Sequence, residues 1–476
     1  MNRKALLSLW SAAGWPDQRA HRLHFDGGAD PILPTPFRIG EASAAALGAI
    51  GVAVSDLWQL RTGRTQEVTV NARQATASLR SARYLRLHGE PVAAERNTVM
   101  GLFPARDGRW SYIHGGYPNH RAAALEVLGV EENRQAVGAA VARWDALELE
   151  SAIVAAQGAG CMVRSMPEWA KHPQAAAIAS LPLIEISRIG ESPPEELPEG
   201  DRPLSGIRVL DLTRVLAGPA CARTLAEHGA DVLKVTAAHL PTIDYQEYDT
   251  GHGKLSAYLD LRQPGDLETL KGLARECDVF SQAYRPGTLA DRGLAPQQMA
   301  RLRPGIVYVS LSAFGHAGPW SSRRGFDTMV QSVSGIALRQ GELFPGTEPG
   351  PQFYPVWAID YLTGYLMAFG VLVALARRAR QGGSWLVRGS LGQTGRWLVN
   401  LGQLPESKVK DVSQEFSPEE IDLWSIVTDT PMGQLQHLGP AVSLSETRPH
   451  WIRPSVPLGY SEPAWPQRVN QAWPNI

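Results

Sequence analysis

Asp360 is the residue in this 476-residue chain best placed for covalent chemistry. It follows the apolar Val356-Trp357-Ala358-Ile359 and opens a long helical stretch. A carboxylate at a helix N-terminus is favoured in its ionised form by the dipole and by free N–H groups. The same N–H groups can hold a developing oxyanion. A carboxylate held this way can serve as a nucleophile, or it can be a plain N-cap, and position alone leaves both open. Two other acids compete. Asp327 reads as the cap of a helix over Thr328–Ile336, and Glu41 as a solvated first-turn residue of an earlier helix. Cys161, Cys221 and Cys277 are too far apart for a disulfide framework or a zinc cluster, so no metal is expected and the compartment reads as reducing. His114, Gly115, Gly116 and Tyr117 read as a glycine-containing loop.

The elements that must position these residues start from Leu204–Val235. Ile207–Leu212 has the length of a strand, the pair Gly218-Pro219 breaks the chain, and Cys221–His228 has helical spacing. Gly229 stops that helix, and Asp231–Val235 is a second apolar run. This is a βαβ unit opening a doubly wound, Rossmann-like α/β sheet. Its first turn lacks the glycine spacing of a dinucleotide site. Further strands are expected at Lys254–Leu261, Asp278–Ser281, Ile306–Leu311 and Trp385–Ser390, and helices at Leu267–Glu276, Pro296–Leu302 and Met367–Arg380.

Upstream, residues 1–40 read as irregular because of Pro31, Pro34 and Pro36, with Met1–Trp15 a surface helix rather than a signal peptide. Glu41–Arg61 and Gln74–Leu87 read as helices around a strand at Glu67–Ala72. A hairpin turning at Asp107-Gly108, three helices and a strand at Cys161–Val163 give a smaller α+β region. Residues 191–203, rich in proline and acid, read as a linker. The expected organisation is a partial first copy over 1–99, a small α+β domain over 100–190, the linker, a large domain over 204–400, and a shortened small-domain remnant with an irregular, proline-rich C-terminal tail over 401–476.

The motifs resemble those of the class III CoA-transferases, the formyl-CoA and carnitine CoA-transferase type. Val215, Ala217, Gly218 and Pro219 match that family's V-x-A-G-P turn, and Lys254–Leu261 its K-R-S-V-x-L-D-L. Asp278–Gly287, Ile306–Pro319 and Asp360 with Thr363-Gly364 follow in the family's order, and Gly433–Gly459 loosely matches its closing segment. The resemblance implies a CoA-transferase in which Asp360 is the covalent nucleophile. It implies contacts to CoA from Val215, Leu216, Ala217, Lys254, Tyr284, Arg285 and Arg292. Acyl-CoA and a carboxylic acid would be the substrates, and no cofactor would be bound permanently. Thr236, Ala237, Ala283 and Asp291 depart from the pattern, leave fewer cations for the phosphates, and imply weak CoA binding. Within the superfamily, the racemase branch has G-H-D where this chain has Gly325-Phe326-Asp327, and Phe326 cannot transfer a proton. An acyl-CoA racemase or isomerase, or a silent CoA-binding scaffold, are the rival readings.

Sliding the chain by 319 lays residues 36–72 on 355–391 without a gap. Glu41 then falls on Asp360, Gly51 on Gly370, Gly63 on Gly382 and Val68 on Val387. The economical reading is a partial tandem fusion of two family units, and hence a monomeric pseudo-dimer or a homodimer. A net charge of −1 argues against a nucleic-acid partner. The longest apolar run, Tyr365–Ala376, is too short to span a bilayer. A cytoplasmic location is expected.

Overall fold

Two 24-residue helices lie against each other at the centre of the computed structural model, which describes residues 4–16, 21–92, 97–346 and 349–466. In chain order the first region contains α1 (Lys4–Ala13), β1 (Leu23–Asp26), the central helix α2 (Ile39–Thr62), β2 (Val68–Asn71), α3 (Ala72–Ser78) and α4 (Pro118–Leu128). Then come β3 (Glu185–Gly190), β4 (Arg208–Asp211), α5 (Ala217–Glu227), β5 (Asp231–Thr236), β6 (Lys254–Tyr258), β7 (Val279–Gln282), β8 (Val307–Ser312) and α6 (Asp327–Val333). The second central helix, α7 (Ala358–Gln381), leads into β9 (Ser384–Ser390), α8 (Leu391–Asn400) and finally β10 (Val442–Leu444).

The large sheet has seven strands in the order β6-β5-β4-β7-β8-β9-β3. Six are parallel, and β3 is antiparallel on β9 at the edge. The strands alternate with helices, as the apolar runs and their spacing predict. Both central helices are apolar and long enough to cross a membrane, but their most apolar windows are 83% and 100% buried in the fold. They form the core between the sheets.

Several boundaries differ from expectation. α5 begins at Ala217, so Gly218-Pro219 lies in its first turn, where a missing proline N–H costs nothing. α7 begins at Ala358, nine residues before Met367. The helix expected over 74–87 ends at Ser78, and a 3₁₀ turn at Ser81–Tyr84 and a short strand follow. Of residues 1–40, the stretch 27–38 that holds the three prolines is irregular as expected, but Lys4–Ala13 is a helix and Leu23–Asp26 a strand. α1 buries Ala5, Leu6, Leu9, Trp10 and Ala13 and packs on α2, so it is a core-facing helix; residues 1–3 lie outside the described set. The last 70 residues contain an antiparallel hairpin, Ser425–Thr430 with Gly433–Leu438, and β10; residues 467–476 lie outside the described set. The proline-rich 191–203 is anchored: Gly383 N–H donates to the Ser192 carbonyl at 3.0 Å, and Arg303 grips Glu195 at 2.6 Å.

The register of 319 holds in three dimensions. α2 and α7 begin and end at matched positions, and α3 and α8 start at matched positions 72 and 391. Asn71 and Ser390 cap these short helices alike, accepting from the N–H of Gln74 at 2.9 Å and of Gln393 at 3.1 Å. A Cβ on Gly51 would meet Val68 and Val442; one on Gly370 would meet Val387 and Ile184. A small sheet, β1-β2-β10, repeats the order and sense of β8-β9-β3. The third strand is reciprocal: β3 follows the first region's α+β segment in sequence but joins the second region's sheet, and β10 does the reverse.

Candidate active site

The turn after β4 is held from behind. Lys254 is 2% exposed, and its ammonium donates to Asp211 and to the Pro219 carbonyl, both at 2.9 Å. Asp211 in turn accepts from the N–H of Thr213 at 3.0 Å. The Thr213 side chain lies where a Cβ on Gly218 would fall, so only glycine fits. Val215 sits at φ +72°, a strained conformation for a β-branched residue and one that clusters at functional sites. The result places Val215, Ala217 and Gly218 on the wall of a cavity of about 270 Å³ at the carboxyl ends of the central strands. The N–H groups of Ala217 and Gly218 have no acceptor among the described residues.

Asp360 lines the same cavity, in the first turn of α7. The residue one turn on, Gly364, lets α5 approach: a Cβ there would lie 2.5 Å from the Ala217 carbonyl oxygen. The free N–H groups expected at the start of α7 are already taken. Asp327 accepts from the Asp360 N–H at 3.0 Å and also from that of Ile359. Asp327 therefore caps α7 rather than only its own helix, and the N–H groups of Ile359 and Asp360 are not available to an oxyanion. The expected dipole effect is also outweighed. Burial, and then the neighbouring charge of Asp327, push the Asp360 carboxyl well above the usual carboxylate range. Burial pushes Asp327 up to about 6, against a 2.5 Å hydrogen bond from Gln331 and the two backbone N–H groups.

The structure brings together Asp360, Val215, Ala217, Tyr284 and Arg285. Leu216 is buried as the N-cap of α5. Lys254 does not reach the cavity; it fixes the turn. Arg292 is spent on the Leu261 and Thr288 carbonyls and does not line the cavity. Four nitrogen-bearing side chains of the wall have no counterpart among the expected contacts: His120, Arg214, Arg323 and Arg324. Arg323 pairs with Glu150 at 2.9 Å. Arg285 and Arg324 both donate to the Gln157 side-chain oxygen, at 2.9 and 3.2 Å. Arg214 donates to the Pro241 carbonyl. The loop 114–117 folds onto this wall, with the His114 ring parallel to Phe326 at 3.7 Å. Burial and His120 push His114 down to about 3, so it is neutral. The arginine pair was visible as the doublet before Gly325, whereas His120 lies 240 residues from Asp360 and needed the fold.

In the first region Glu41 occupies the place of Asp360. Asp30 accepts from the N–H of Gly40 at 3.1 Å and of Glu41 at 2.8 Å, as Asp327 does from Ile359 and Asp360. Glu41 is buried rather than solvated, because α1 covers it: the Ala5 N–H reaches its carboxylate, and Arg38 pairs with it at 3.4 Å.

A buried carboxylate, free backbone donors and arginine side chains thus share the wall of one cavity. Residues 204–414 match the model of CoA-transferase family III, so the chain carries a domain of that family. Its homologues are named CoA-transferases, and it is a transferase enzyme by that kinship. It is 27% identical to the acetyl-coenzyme A transferase nodX of Hypoxylon pulicicidum, over 79% of this chain and 71% of that protein. It is 34% identical to the succinyl-CoA:glutarate CoA-transferase of Mus musculus, over 38% of this chain and 43% of that one. The crystal structure of Rv3272 from M. tuberculosis aligns with 31% identity over 43% of this chain and 57% of that one, with a TM-score of 0.39. The alignments to the mouse enzyme and to Rv3272 thus span about half of those proteins.

Proposed function

We propose that the chain transfers CoA from an acyl-CoA to a carboxylic acid, with Asp360 as covalent nucleophile. The observation that carries this reading is the carboxylate of Asp360 in one cavity wall with the 215–218 turn and the 284–286 segment. An Asp360 oxygen attacks the thioester carbon, and the C–S electrons leave with CoA thiolate, giving an acyl–aspartyl anhydride. The thiolate then attacks the Asp360 carboxyl carbon and releases the donor acid as its carboxylate. The acceptor carboxylate repeats the two steps in reverse. The N–H groups of Ala217 and Gly218 are suited to hold an oxyanion, and the burial of Asp360 limits the access of water to the anhydride.

Cations come both from the family pattern, with Arg285, and from outside it, with Arg214 and Arg324. Arg214, Arg285 and Arg324 have no carboxylate partner among the described residues, so they can offset Ala237 and Ala283 in holding CoA phosphates. The mouse relative is named for succinyl-CoA and glutarate, which makes short dicarboxylic acids the first acceptors to try. We read the chain as a partial fusion of two family units. Residues 100–190 of the first unit cover the second unit's site, so one chain holds one complete site. Glu41 is the first unit's counterpart, sealed by α1. Three buried free cysteines agree with a reducing, cytoplasmic setting.

The test is intact-protein mass spectrometry after incubation with a panel of acyl-CoAs, followed by hydroxylamine. One acyl or CoA adduct per chain is expected, converted to a hydroxamate at Asp360. Asp360→Asn exchanging at the wild-type rate would end this mechanism.

A further inference from the structure

His120 is the third residue of α4, delivered to the cavity by the loop that stacks on Phe326. Its ring lies 5.6 Å from Phe326 and 5.9 Å from Tyr117, centroid to centroid. Phe326 directly precedes Asp327, which holds the backbone of Asp360. His120 is 7% exposed, and its Nδ1 is buried with no hydrogen-bond partner among the described residues. The other nitrogen-bearing side chains of the wall are committed: Arg323 to Glu150, Arg285 and Arg324 to Gln157, Arg214 to Pro241. His120 alone among them has no partner.

Two physical consequences follow. Burial, with the positive fields of Arg324 and Arg214, holds the imidazole down to about 4, so it is neutral at working pH. A neutral imidazole carries one proton. Nδ1 is unpaired in the wall in either tautomer, whereas Nε2 is not sealed there, so the tautomer with its proton on Nε2 presents the donor where a ligand can accept it.

Resting on the proposed CoA-transferase reading, we infer that His120 is a further catalytic residue, whose Nε2–H faces the cavity and donates to the acyl carbonyl oxygen as Asp360 attacks it. The carbonyl oxygen gains negative charge when the Asp360–carbon bond forms and loses it when the C–S bond breaks. A neutral donor holds that charge in both steps and passes no proton, so the atom balance of the transfer is unchanged. It would supplement the N–H groups of Ala217 and Gly218, since those of Ile359 and Asp360 are occupied.

The experiment compares single-turnover acylation of Asp360, read by rapid quench and mass spectrometry, with steady-state exchange in wild type, His120→Phe and His120→Gln. His120→Phe should lose about 10²-fold in kcat and in the acylation rate, with KM for acyl-CoA nearly unchanged. His120→Gln, which keeps an N–H donor, should recover part of the loss. The ratio of wild-type to His120→Phe rates should stay flat from about pH 6 to 9, because the imidazole is neutral throughout. Should His120→Phe fail to fold, His120→Gln and His120→Ala supply the same comparison. Acylation at the wild-type rate without an N–H donor, or a loss confined to KM, overturns the inference while leaving Asp360 in place. A wild-type protein that forms no adduct and exchanges no CoA sinks the transferase reading, and this inference with it.

Discussion

Glu41 and Asp360 occupy the same place on two helices of equal length, and each backbone is gripped by an aspartate from another segment. What surrounds them differs. α5 and the 215–218 turn abut α7, leaving a cavity at Asp360, whereas α1 lies over Glu41 and pairs with it through the Ala5 N–H. An acid at a helix start is thus common to both regions. Reactivity depends on what else reaches it.

The largest expected contrast is in exchange activity. Asp360→Asn should lose about 10³-fold or more, while Glu41→Gln should stay within about twofold of wild type. A comparable loss in both variants would break the distinction. The next contrast lies one turn further on. Gly364→Ala puts a Cβ 2.5 Å from the Ala217 oxygen and should cost about 2 kcal/mol, with activity falling as α5 shifts. At the matched position, Ala45→Gly meets no α5 and should cost about 1–2 kcal/mol, from helix propensity and one buried methyl, with activity intact. Denaturant melts together with exchange rates separate these outcomes.

The matched glycines test the likeness instead. Gly51→Ala and Gly370→Ala each drive a Cβ into a strand valine, Val68 or Val387, and should destabilise by similar amounts, about 1–3 kcal/mol. A large effect at one and none at the other would argue against equivalent packing.

The smallest effects are on pH dependence. Asp360 must lose its proton to attack, and Asp327 raises its pKa, so exchange should fall on the acid side. Asp327→Asn removes the like charge and should move that limb to lower pH while keeping measurable activity. Asp30→Asn should leave the profile where it is. Glu41, raised by burial, favours the folded state when protonated. That stability is present below the unfolded pKa and is lost as pH rises through the folded one. The stability of Glu41→Gln relative to wild type should therefore grow from acid to neutral pH in thermal melts.

Much of this was legible in the chain. Strand-length apolar runs placed all six parallel strands, and the 319-residue register located both central helices and their glycine stops. The motif order marked Asp360 and the two segments that share its cavity. Lys254 misled because a lysine in a matching motif looks the same whether it meets a phosphate or an aspartate; its partner, Asp211, lies 43 residues away. The charge state of Asp360 misled for a similar reason. A helix dipole can be read from local sequence, but burial and the approach of Asp327 depend on packing between segments. His120, Arg214 and the capping role of Asp327 are products of that packing and leave no periodic trace.

The crossing of β3 and β10 between the two regions has a consequence for dilution. When separate subunits complete each other's sites, lowering the protein concentration eventually empties those sites by mass action. Here the segment that brings His120 to the cavity is tethered through β3 to β9, the strand that follows α7, at an effective concentration of about millimolar or more. Turnover per chain should therefore hold constant far into the nanomolar range, whatever larger assembly the protein enters.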